Sequence, residues 1–197
     1  MSVLIVDTQC ANLASVGFAF DRLGIASKIS GDPADIASAD RVLIPGVGSA
    51  PYAMTKIEAA GLLPTLKSLQ QPVLGICLGM QLLFEELEEG GQVTQGLALV
   101  PGRVTALDTG NLPSPHMGWN RLTDIVDDPL TAGLSDGDHA YFVHSFAAPV
   151  AEMTRATTTY NAPFTAMLRH GNVRGCQFHP ERSAGTGAAI LKAFAAL

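Results

Sequence analysis

The chain has 197 residues, a formal net charge of −6 and a composition that is 47% hydrophobic and 15% charged. A chain of this length and apolar content can bury a core of its own, which argues against disorder and removes the need for disulfides or a structural metal. The acidic balance disfavours nucleic acids and anionic membrane surfaces as partners. Because the first residues lack the basic region of a signal peptide and no apolar run is long enough to cross a bilayer, we expect one cytoplasmic domain over residues 1–197.

Strands and helices alternate through the first half of the chain. Short apolar runs predict strands buried in a parallel sheet at residues 3–6, 27–30, 41–44 and 72–76. Apolar residues at helical spacing and the segments between the strands predict helices at residues 13–23, 50–60, 62–69 and 78–88. The acidic run at residues 85–89 is then the solvated end of the last of these helices. The alternation predicts an α/β fold with a mostly parallel central sheet flanked by helices.

The second half of the chain has a different pattern. Residues 97–177 consist of short β-like segments that are interrupted by Gly, Pro and Asp, which predicts an additional antiparallel β region. His170-Gly171-Asn172 is typical of a hairpin turn that leads into a strand at residues 173–178. An Ala-rich helix is predicted at residues 184–196, and the chain shows no internal repeat or linker.

Cys77 occupies the most informative position in the sequence. It lies between Gly75 and Gly79 at a predicted strand-to-helix junction, which is the pattern of a nucleophile elbow. The small neighbours let strand and helix approach closely, and the side chain then projects from the carboxyl edge of the sheet, where α/β proteins bind ligands. The amide of Leu78 would point at a developing oxyanion. Gln81 lies one helical turn later on the same face, where its amide could bind a polar group. The alternative is a buried cysteine at a glycine-rich turn.

The other two cysteines, Cys10 and Cys176, are more typical of small buried hydrophobic residues. The three cysteines form an odd and widely spaced set, which is neither a disulfide framework nor a zinc motif. Because no cluster of His, Cys and carboxylate residues shows metal-ligand spacing, no metal or organic cofactor is predicted.

A cysteine nucleophile needs a histidine base and a group that orients it. Five histidines are candidates: His116, His139, His144, His170 and His179. His179 ends a predicted strand and is followed by Pro180 and Glu181. In an extended chain the side chains of His179 and Glu181 project to the same side, so the carboxylate could orient the imidazole. Spacing alone leaves open whether His179 is this base or a merely structural or exposed histidine.

Two motifs in the chain, GICLGMQ at 75–81 and FHPE at 178–181, resemble the class I (triad) glutamine amidotransferases. Three others narrow the resemblance within that family: PGVG at 45–48, PHMGWN at 115–120 and YFVHS at 141–145. They are similar to the glutaminase subunits of imidazole glycerol phosphate synthases, and GWN is the most specific of them. The resemblance covers nearly the whole chain.

The resemblance implies the chemistry and the residues that perform it. Cys77 attacks the side-chain amide of L-glutamine, His179 takes the thiol proton and returns it to the departing ammonia, and Glu181 orients His179. The amides of Val47 and Leu78 form the oxyanion hole, and the Val47 peptide must flip to do so. The residues expected to hold the amino-acid end of glutamine are Gly48, Gln81, His144, Ser145 and Phe146.

The resemblance also implies a partner. Ammonia would pass directly to a barrel-fold cyclase subunit in a heterodimer, where PRFAR is converted to imidazole glycerol phosphate and AICAR in L-histidine biosynthesis. Trp119, Asn120 and Tyr141 are expected at that interface.

Three positions depart from the family pattern. The loop at residues 7–12 lacks a tyrosine and two glycines that the family usually carries, so its shape must differ if its backbone needs a positive φ angle. Phe146 replaces a common tyrosine, and Arg182 replaces a common lysine.

Two other functions fit part of the sequence. A glutaminase subunit of another pathway, such as pyridoxal phosphate synthesis, would share the elbow and the His-Pro-Glu ending. A non-catalytic interaction subunit could keep the fold without the activity, because a fold does not prove a function. The identity of the partner and the reactivity of Cys77 toward a glutamine analogue distinguish the three hypotheses.

Overall fold

The computed structural model describes residues 2–197 and contains a seven-stranded sheet, a four-stranded sheet and a two-stranded sheet. The strands are β1 (Val3–Val6), β2 (Ser27–Ser30), β3 (Arg41–Gly46), β4 (Val73–Cys77), β5 (Phe84–Glu89), β6 (Gln92–Gln95), β7 (Val100–Ala106), β8 (His116–Arg121), β9 (His139–His144), β10 (Phe146–Ala147), β11 (Thr154–Tyr160), β12 (Ala162–His170) and β13 (Val173–Cys176). The helices are α1 (Leu13–Arg22), α2 (Pro33–Ser38), α3 (Ala50–Ala59), α4 (Leu63–Lys67), α5 (Leu78–Gln81) and α6 (Ala184–Ala196), with a 3-10 turn at Pro180–Arg182.

The large sheet has the strand order β11-β12-β13-β4-β3-β1-β2. Its strands from β13 to β2 run parallel, while β12 and β11 are antiparallel to their neighbours in the sheet. The carboxyl ends of β1, β3, β4 and β13 therefore meet at one edge of the sheet, which is the edge where open α/β sheets bind ligands.

The central strands are buried on both faces, which explains why they are continuous apolar runs. Successive side chains of a strand point to opposite faces. Val3 and Ile5 accordingly pack into one hydrophobic cluster, whereas Leu4 and Val6 pack into the other. The sheet thus separates two apolar layers, and each layer is covered by helices or by the smaller sheets.

Several predicted elements are confirmed. Helix α1 begins after Asn12, whose side chain accepts a hydrogen bond from the amide of Ser15 at 3.2 Å and so caps the helix. Gly24, with φ +67°, follows the end of this helix. The turn at residues 171–172 joins β12 to β13 as an antiparallel hairpin, and the closing helix α6 covers the predicted residues.

The helix predicted at residues 78–88 is wrong. Helix α5 ends at Gln81 after four residues, and the chain continues as strand β5 in the four-stranded sheet. Phe84 and Leu87 are both buried and lie three residues apart, which mimics a helical period. A register irregularity against β7 between Phe84 and Glu86 accounts for this spacing in a strand. The acidic run is consequently the solvent face of a strand, where Glu86 and Glu88 pair with Arg103.

The short helix α2 and strand β6 were not predicted. Strands β8, β10 and β11 lie within the predicted β region at residues 97–177 but were not predicted individually. Within residues 2–197, no helix has both the length and the apolar character needed to cross a membrane.

Candidate active site

Cys77 lies at the carboxyl end of β4 in a backbone conformation that side chains rarely adopt, with φ 52° and ψ −114°. Its neighbours permit this conformation only because they are glycines. A Cβ atom on Gly79 would lie 1.9 Å from the carbonyl oxygen of Ile44, and one on Gly75 would lie 2.6 Å from the Cα of Met80. The elbow therefore holds Cys77 in a strained conformation that the surrounding packing enforces.

His179 reaches Cys77 from the neighbouring parallel strand. It follows β13, which pairs with β4, and its side chain lines the same cavity as Cys77. On the other side, Nδ1 donates to Oε1 of Glu181 at 2.8 Å. The pairing of β13 with β4 thus brings together a cysteine, a histidine and a carboxylate, the three side-chain types of a thiol catalytic triad.

The environment of His179 favours its charged form. Burial by itself disfavours the imidazolium, but hydrogen bonds and attraction from Cys77 and Glu181 outweigh it and raise the pKa of His179 from 6.5 to about 10. At neutral pH the ring is therefore protonated and faces the sulfur of Cys77 as an imidazolium. This arrangement places a ready proton donor beside the sulfur.

A cavity of about 180 Å³ opens beside Cys77 and is lined by residues from four separate parts of the chain. These are the elbow at Cys77, the PGVG loop, the end of β9 with its turn into β10, and His179. The predicted site residues that line it are Val47, Gly48, Cys77, Leu78, Gln81, His144, Ser145, Phe146 and His179. Val143, which was not predicted, also lines it, and its carbonyl oxygen lies 3.6 Å from Sγ of Cys77.

The backbone amide of Val47 does not point into this cavity. It donates to the carbonyl oxygen of Cys10 at 2.9 Å, which ties the PGVG loop to the loop at residues 7–12. Gly48 follows with φ +91°, and the side chain of Val47 is 44% exposed. The peptide flip at Val47 that the family resemblance implied must therefore break the hydrogen bond to Cys10.

The loop at residues 7–12 adopts a positive φ angle without a glycine. Gln9 has φ 59°, and its amide donates to Oδ1 of Asp7 at 2.8 Å. This hydrogen bond closes an Asx turn between Asp7 and Gln9. The loop therefore keeps a turn at Gln9 although the residue is not a glycine.

Gln177 is a residue of the site that the sequence analysis missed. It is fully buried, its Oε1 accepts from Nε2 of Gln81 at 3.0 Å, and its Nε2 lies 4.0 Å from Sγ of Cys77. Gln81 in turn donates to the carbonyl oxygen of Phe146 at 2.9 Å. Its position two residues before His179, on the same face of the extended chain, could have identified it.

The predicted interface residues divide into two environments. Trp119 and Tyr141 are cross-strand neighbours in the β8–β9 pair with ring centroids 5.9 Å apart, and the Arg182 guanidinium lies 4.6 Å from the Tyr141 ring centroid. Trp119 is 54% exposed, so this cluster presents an aromatic surface to solvent. Asn120 instead turns inward and donates to His116 and to the carbonyl oxygen of Thr159.

A second cavity of about 190 Å³ borders the opposite side of His179. Asn12, Val47 and Glu181 line it, and Oε2 of Glu181 is buried without a hydrogen-bond partner. In the described part of the chain, no group of three or more His, Cys, Asp or Glu residues could hold a metal ion.

Comparisons with known proteins identify the family to which the chain belongs. A family model described as "Glutamine amidotransferase class-I" matches residues 6–196. The imidazole glycerol phosphate synthase subunit HisH of Idiomarina loihiensis is 50% identical over 194 residues, which cover 98% of this chain and 97% of that protein. The subunits of the same name from Mannheimia succiniciproducens and Vibrio cholerae are 50% and 47% identical, and each match covers 98% of this chain and 98% or 97% of the relative.

Solved structures share the fold at low sequence identity. PurLQS from Thermotoga maritima superposes with a TM-score of 0.71 at 17% identity, covering 98% of this chain and 96% of that one. The glutaminase domain of Trypanosoma brucei CTPS with bound acivicin gives a TM-score of 0.67 at 16% identity, covering 100% and 94%. These likenesses confirm the predicted α/β fold class.

Proposed function

The chain belongs to the class-I glutamine amidotransferase family, and we propose that it is the glutaminase subunit of an imidazole glycerol phosphate synthase. It hydrolyses the side-chain amide of L-glutamine to glutamate and ammonia, and a cyclase partner uses the ammonia in L-histidine biosynthesis. The observation that carries the proposal is the arrangement of three side chains: Cys77 on a strained elbow, His179 beside it in the same cavity, and Glu181 hydrogen-bonded to His179. Relatives with this subunit name that are 47% to 50% identical over nearly the whole chain support the pathway.

The first half of the reaction is acyl transfer to sulfur. The Cys77 thiolate attacks the amide carbon of glutamine, and the carbonyl oxygen becomes an oxyanion. When this tetrahedral intermediate collapses, His179 donates its proton to the departing nitrogen, so ammonia leaves and a glutamyl thioester remains. The raised pKa of His179 supports this role, because the proton is already on the ring when substrate arrives.

The second half is hydrolysis of the thioester. His179, now neutral, takes a proton from water as the water attacks the thioester carbon. Collapse of this second intermediate expels the Cys77 thiolate, releases glutamate and restores the imidazolium. Glu181 orients the ring through both halves by accepting from Nδ1, which leaves Nε2 for the reacting atoms.

Glutamine binds in the 180 Å³ cavity beside Cys77. Gly48, Gln81 and the turn formed by His144, Ser145 and Phe146 hold its amino-acid end. The amides of Leu78 and Val47 stabilise the oxyanion. Since the Val47 amide is hydrogen-bonded to Cys10 in this conformation, full activity requires a population shift of the PGVG loop toward a flipped peptide.

The partner is a barrel-fold cyclase that converts PRFAR to imidazole glycerol phosphate and AICAR. The exposed cluster of Trp119, Tyr141 and Arg182 supports an interface on this side of the molecule, since exposed aromatic and Arg side chains are typical of interface centres. Asn120 lies on the same strand as Trp119. The heterodimer would seal the ammonia from solvent.

The organisation of the chain and its compartment follow from the same proposal. Residues 1–197 form a single amidotransferase domain, which the family match over residues 6–196 supports. A cytoplasmic location fits a biosynthetic enzyme with a free thiol nucleophile.

The test is glutamate release from glutamine by the chain alone, by the chain with its cyclase, and by the complex with the cyclase's nucleotide ligand. A Cys77→Ala variant is measured beside each sample. We expect low activity from the isolated chain, a large rise in the third sample, and no activity above background in any sample of the variant.

Other outcomes select the alternatives. Cys77-dependent activity that ignores the histidine-pathway cyclase but responds to the pyridoxal phosphate synthase subunit would assign the chain to that pathway. If no sample hydrolyses glutamine and a glutamine-analogue label does not react with Cys77 in the complex, the chain is a non-catalytic interaction subunit.

A further inference from the structure

A continuous chain of hydrogen bonds crosses the molecule beside the glutamine cavity. It begins at Asn120 on β8, where Nδ2 lies 3.2 Å from Nε2 of His116. Nδ1 of His116 lies 3.0 Å from Nε2 of His144, and Nδ1 of His144 lies 2.9 Å from the carbonyl oxygen of Phe146. His144 and Phe146 line the cavity beside Cys77, whereas His116 and Asn120 do not.

The two ends of this chain fix the direction of every hydrogen bond in it. Oδ1 of Asn120 accepts from the amide of Arg121 at 2.8 Å and Nδ2 donates to the carbonyl oxygen of Thr159 at 3.0 Å, so Nδ2 is a donor toward His116. At the other end a carbonyl oxygen can only accept, so His144 must carry its proton on Nδ1. Both requirements agree that the protons lie on Nδ1 of His116 and Nδ1 of His144.

The surroundings keep both rings neutral, which this pattern requires. His116 and His144 are 3% and 6% exposed, and burial lowers the pKa of each from 6.5 to about 4. His116 stacks between the rings of Phe142 and Tyr160, with centroids 4.9 Å and 4.2 Å away. Protonation of either ring would make two N–H donors face each other at one link of the hydrogen-bond chain.

The chain ends on a carbonyl group that is held from two sides. The oxygen of Phe146 accepts from His144 and also from Nε2 of Gln81. Gln81 donates in addition to Gln177, whose amide nitrogen lies 4.0 Å from the sulfur of Cys77. Both lone pairs of the carbonyl are thus used, and the wall of the cavity is tied to the elbow helix.

We propose that His116 and His144 are positioning residues that hold the Ser145–Phe146 wall of the glutamine cavity in its binding geometry, through a one-way hydrogen-bond chain that starts at Asn120. The proposal rests on the glutaminase function proposed above and adds His116, which does not touch substrate, to the residues on which glutamine affinity depends. The hydrogen-bond chain positions the wall of the glutamine cavity and does not position the reacting atoms. Its loss therefore raises KM for glutamine and leaves kcat nearly unchanged.

Two substitutions at His116 separate hydrogen bonding from packing. His116→Phe keeps an aromatic ring between Phe142 and Tyr160 but removes the donor to His144. His116→Asn leaves a gap in the stack but offers an amide N–H near the position of Nδ1. Tyr160→Phe is the matched control, because it keeps the stack and removes only the hydroxyl that donates to Pro113, outside the chain.

Steady-state kinetics of the complex with cyclase and its ligand give the first readout, and thermal unfolding gives the stability of each variant. We expect His116→Phe to raise KM for glutamine about 3- to 10-fold, the equivalent of one hydrogen bond, with kcat within about twofold. His116→Asn should be the less stable variant but should stay closer to the parent in KM, and Tyr160→Phe should match the parent. Two results would overturn the proposal. One is a KM that rises in proportion to the loss of thermal stability across the variants, and the other is an unchanged KM in His116→Phe.

Imidazole ¹⁵N spectra of the full chain give a second readout that does not depend on activity. We expect both His116 and His144 to be neutral with the proton on Nδ1, whereas neutral histidine in water prefers the proton on Nε2. A proton on Nε2 of either ring would refute the proposed hydrogen-bond chain even if KM changes. If the parent complex does not hydrolyse glutamine at all, the proposed function fails, while the spectra still decide whether the hydrogen-bond chain exists.

Discussion

The charge on His179 links the strained backbone of the elbow to the reaction. Cys77 is held at φ 52° by its glycine neighbours, so its sulfur is fixed at the carboxyl edge of the sheet beside the imidazole. The imidazole is then stabilised as a cation from both sides, by Cys77 and by Glu181. A buried histidine without these partners would be neutral at pH 7, as His116 and His144 are.

Removing the sulfur should therefore lower the pKa of His179. In the parent we expect the imidazolium to persist until the pH approaches about 10, as followed by the ring ¹⁵N or C–H shifts during titration. In Cys77→Ala the attraction of the sulfur for the imidazolium is lost while burial and Glu181 remain, so the titration moves toward lower pH.

Glu181→Gln tests the second partner of the imidazolium in the same titration, because Gln keeps a hydrogen-bond acceptor but removes the negative charge. Its His179 should also titrate at lower pH than in the parent. An unchanged His179 titration in Cys77→Ala would contradict the ion pair on which the proposed mechanism depends.

At the residue scale, sequence motifs were sufficient to select Cys77, His179 and Glu181 as neighbours. They could not select His116 or Gln177, because these residues act through partners that are distant in the chain. His116 meets His144 across the β8–β9 pair, and Gln177 meets Gln81 across 96 positions of sequence. Such contacts depend on strand register, which a single sequence specifies poorly.

At the element scale, the elbow depends on the absence of a side chain at Gly79. Its Cβ would lie 1.9 Å from a backbone oxygen of β3, and backbone atoms cannot move aside as the end of a side chain can. We expect Gly79→Ala to lower the free energy of unfolding by about 3 kcal/mol or more, at the upper end of the range for overpacking. Urea unfolding followed by circular dichroism measures the change.

Gly17→Ala is the matched control for that experiment. Gly17 lies inside helix α1, has no positive φ angle, and has no neighbouring atom within 4 Å of the point where a Cβ would lie. Alanine there should raise the free energy of unfolding by about 0.5 to 1 kcal/mol, because alanine favours the helix. Equal effects at the two positions would mean that the elbow does not require its glycine.

The same segment explains where element prediction failed. The strand before Cys77 is a fully buried apolar run with a clear boundary, so it was predictable. The residues after the elbow carry Phe84 and Leu87 at a spacing of three, and this spacing fits a helix as well as it fits a strand with an irregular register. Only pairing with β7, which begins at Val100, decides between the two, so the tertiary context overrides the local pattern.

At the scale of the whole molecule, the site combines the carboxyl ends of parallel strands with a turn from the smaller sheets. The parallel strands supply Cys77, His179 and the PGVG loop, and the turn between β9 and β10 closes the cavity beside Cys77. The α/β pattern of the first half was sufficient to predict that Cys77 and the PGVG loop lie at this edge, whereas His179 reaches it through β13, which belongs to the second half. The contribution of the turn depends on how the two-stranded and four-stranded sheets pack, and no local periodicity encodes that arrangement.

The buried histidines beside that turn should make the stability of the molecule sensitive to acid. Their folded pKa values are near 4, below the unfolded value of 6.5, so between pH 6.5 and 4 the unfolded chain binds protons that the folded chain does not. Their contribution to stability is therefore fully present above pH 6.5 and is lost as the pH falls toward 4. His179 has the opposite shift, and its contribution is already complete below pH 6.5.

Urea unfolding of the parent and of His116→Phe at several pH values isolates this effect. The parent should lose stability more steeply than the variant between pH 6.5 and 4, because the variant has one histidine fewer to protonate on unfolding. The free energy of unfolding of the parent minus that of the variant should thus fall steadily as the pH decreases from 6.5 to 4. The same difference should stay constant above pH 7. A difference independent of pH would mean that His116 is not held neutral in the fold, and the hydrogen-bond chain from Asn120 to Phe146 would then lack its central link.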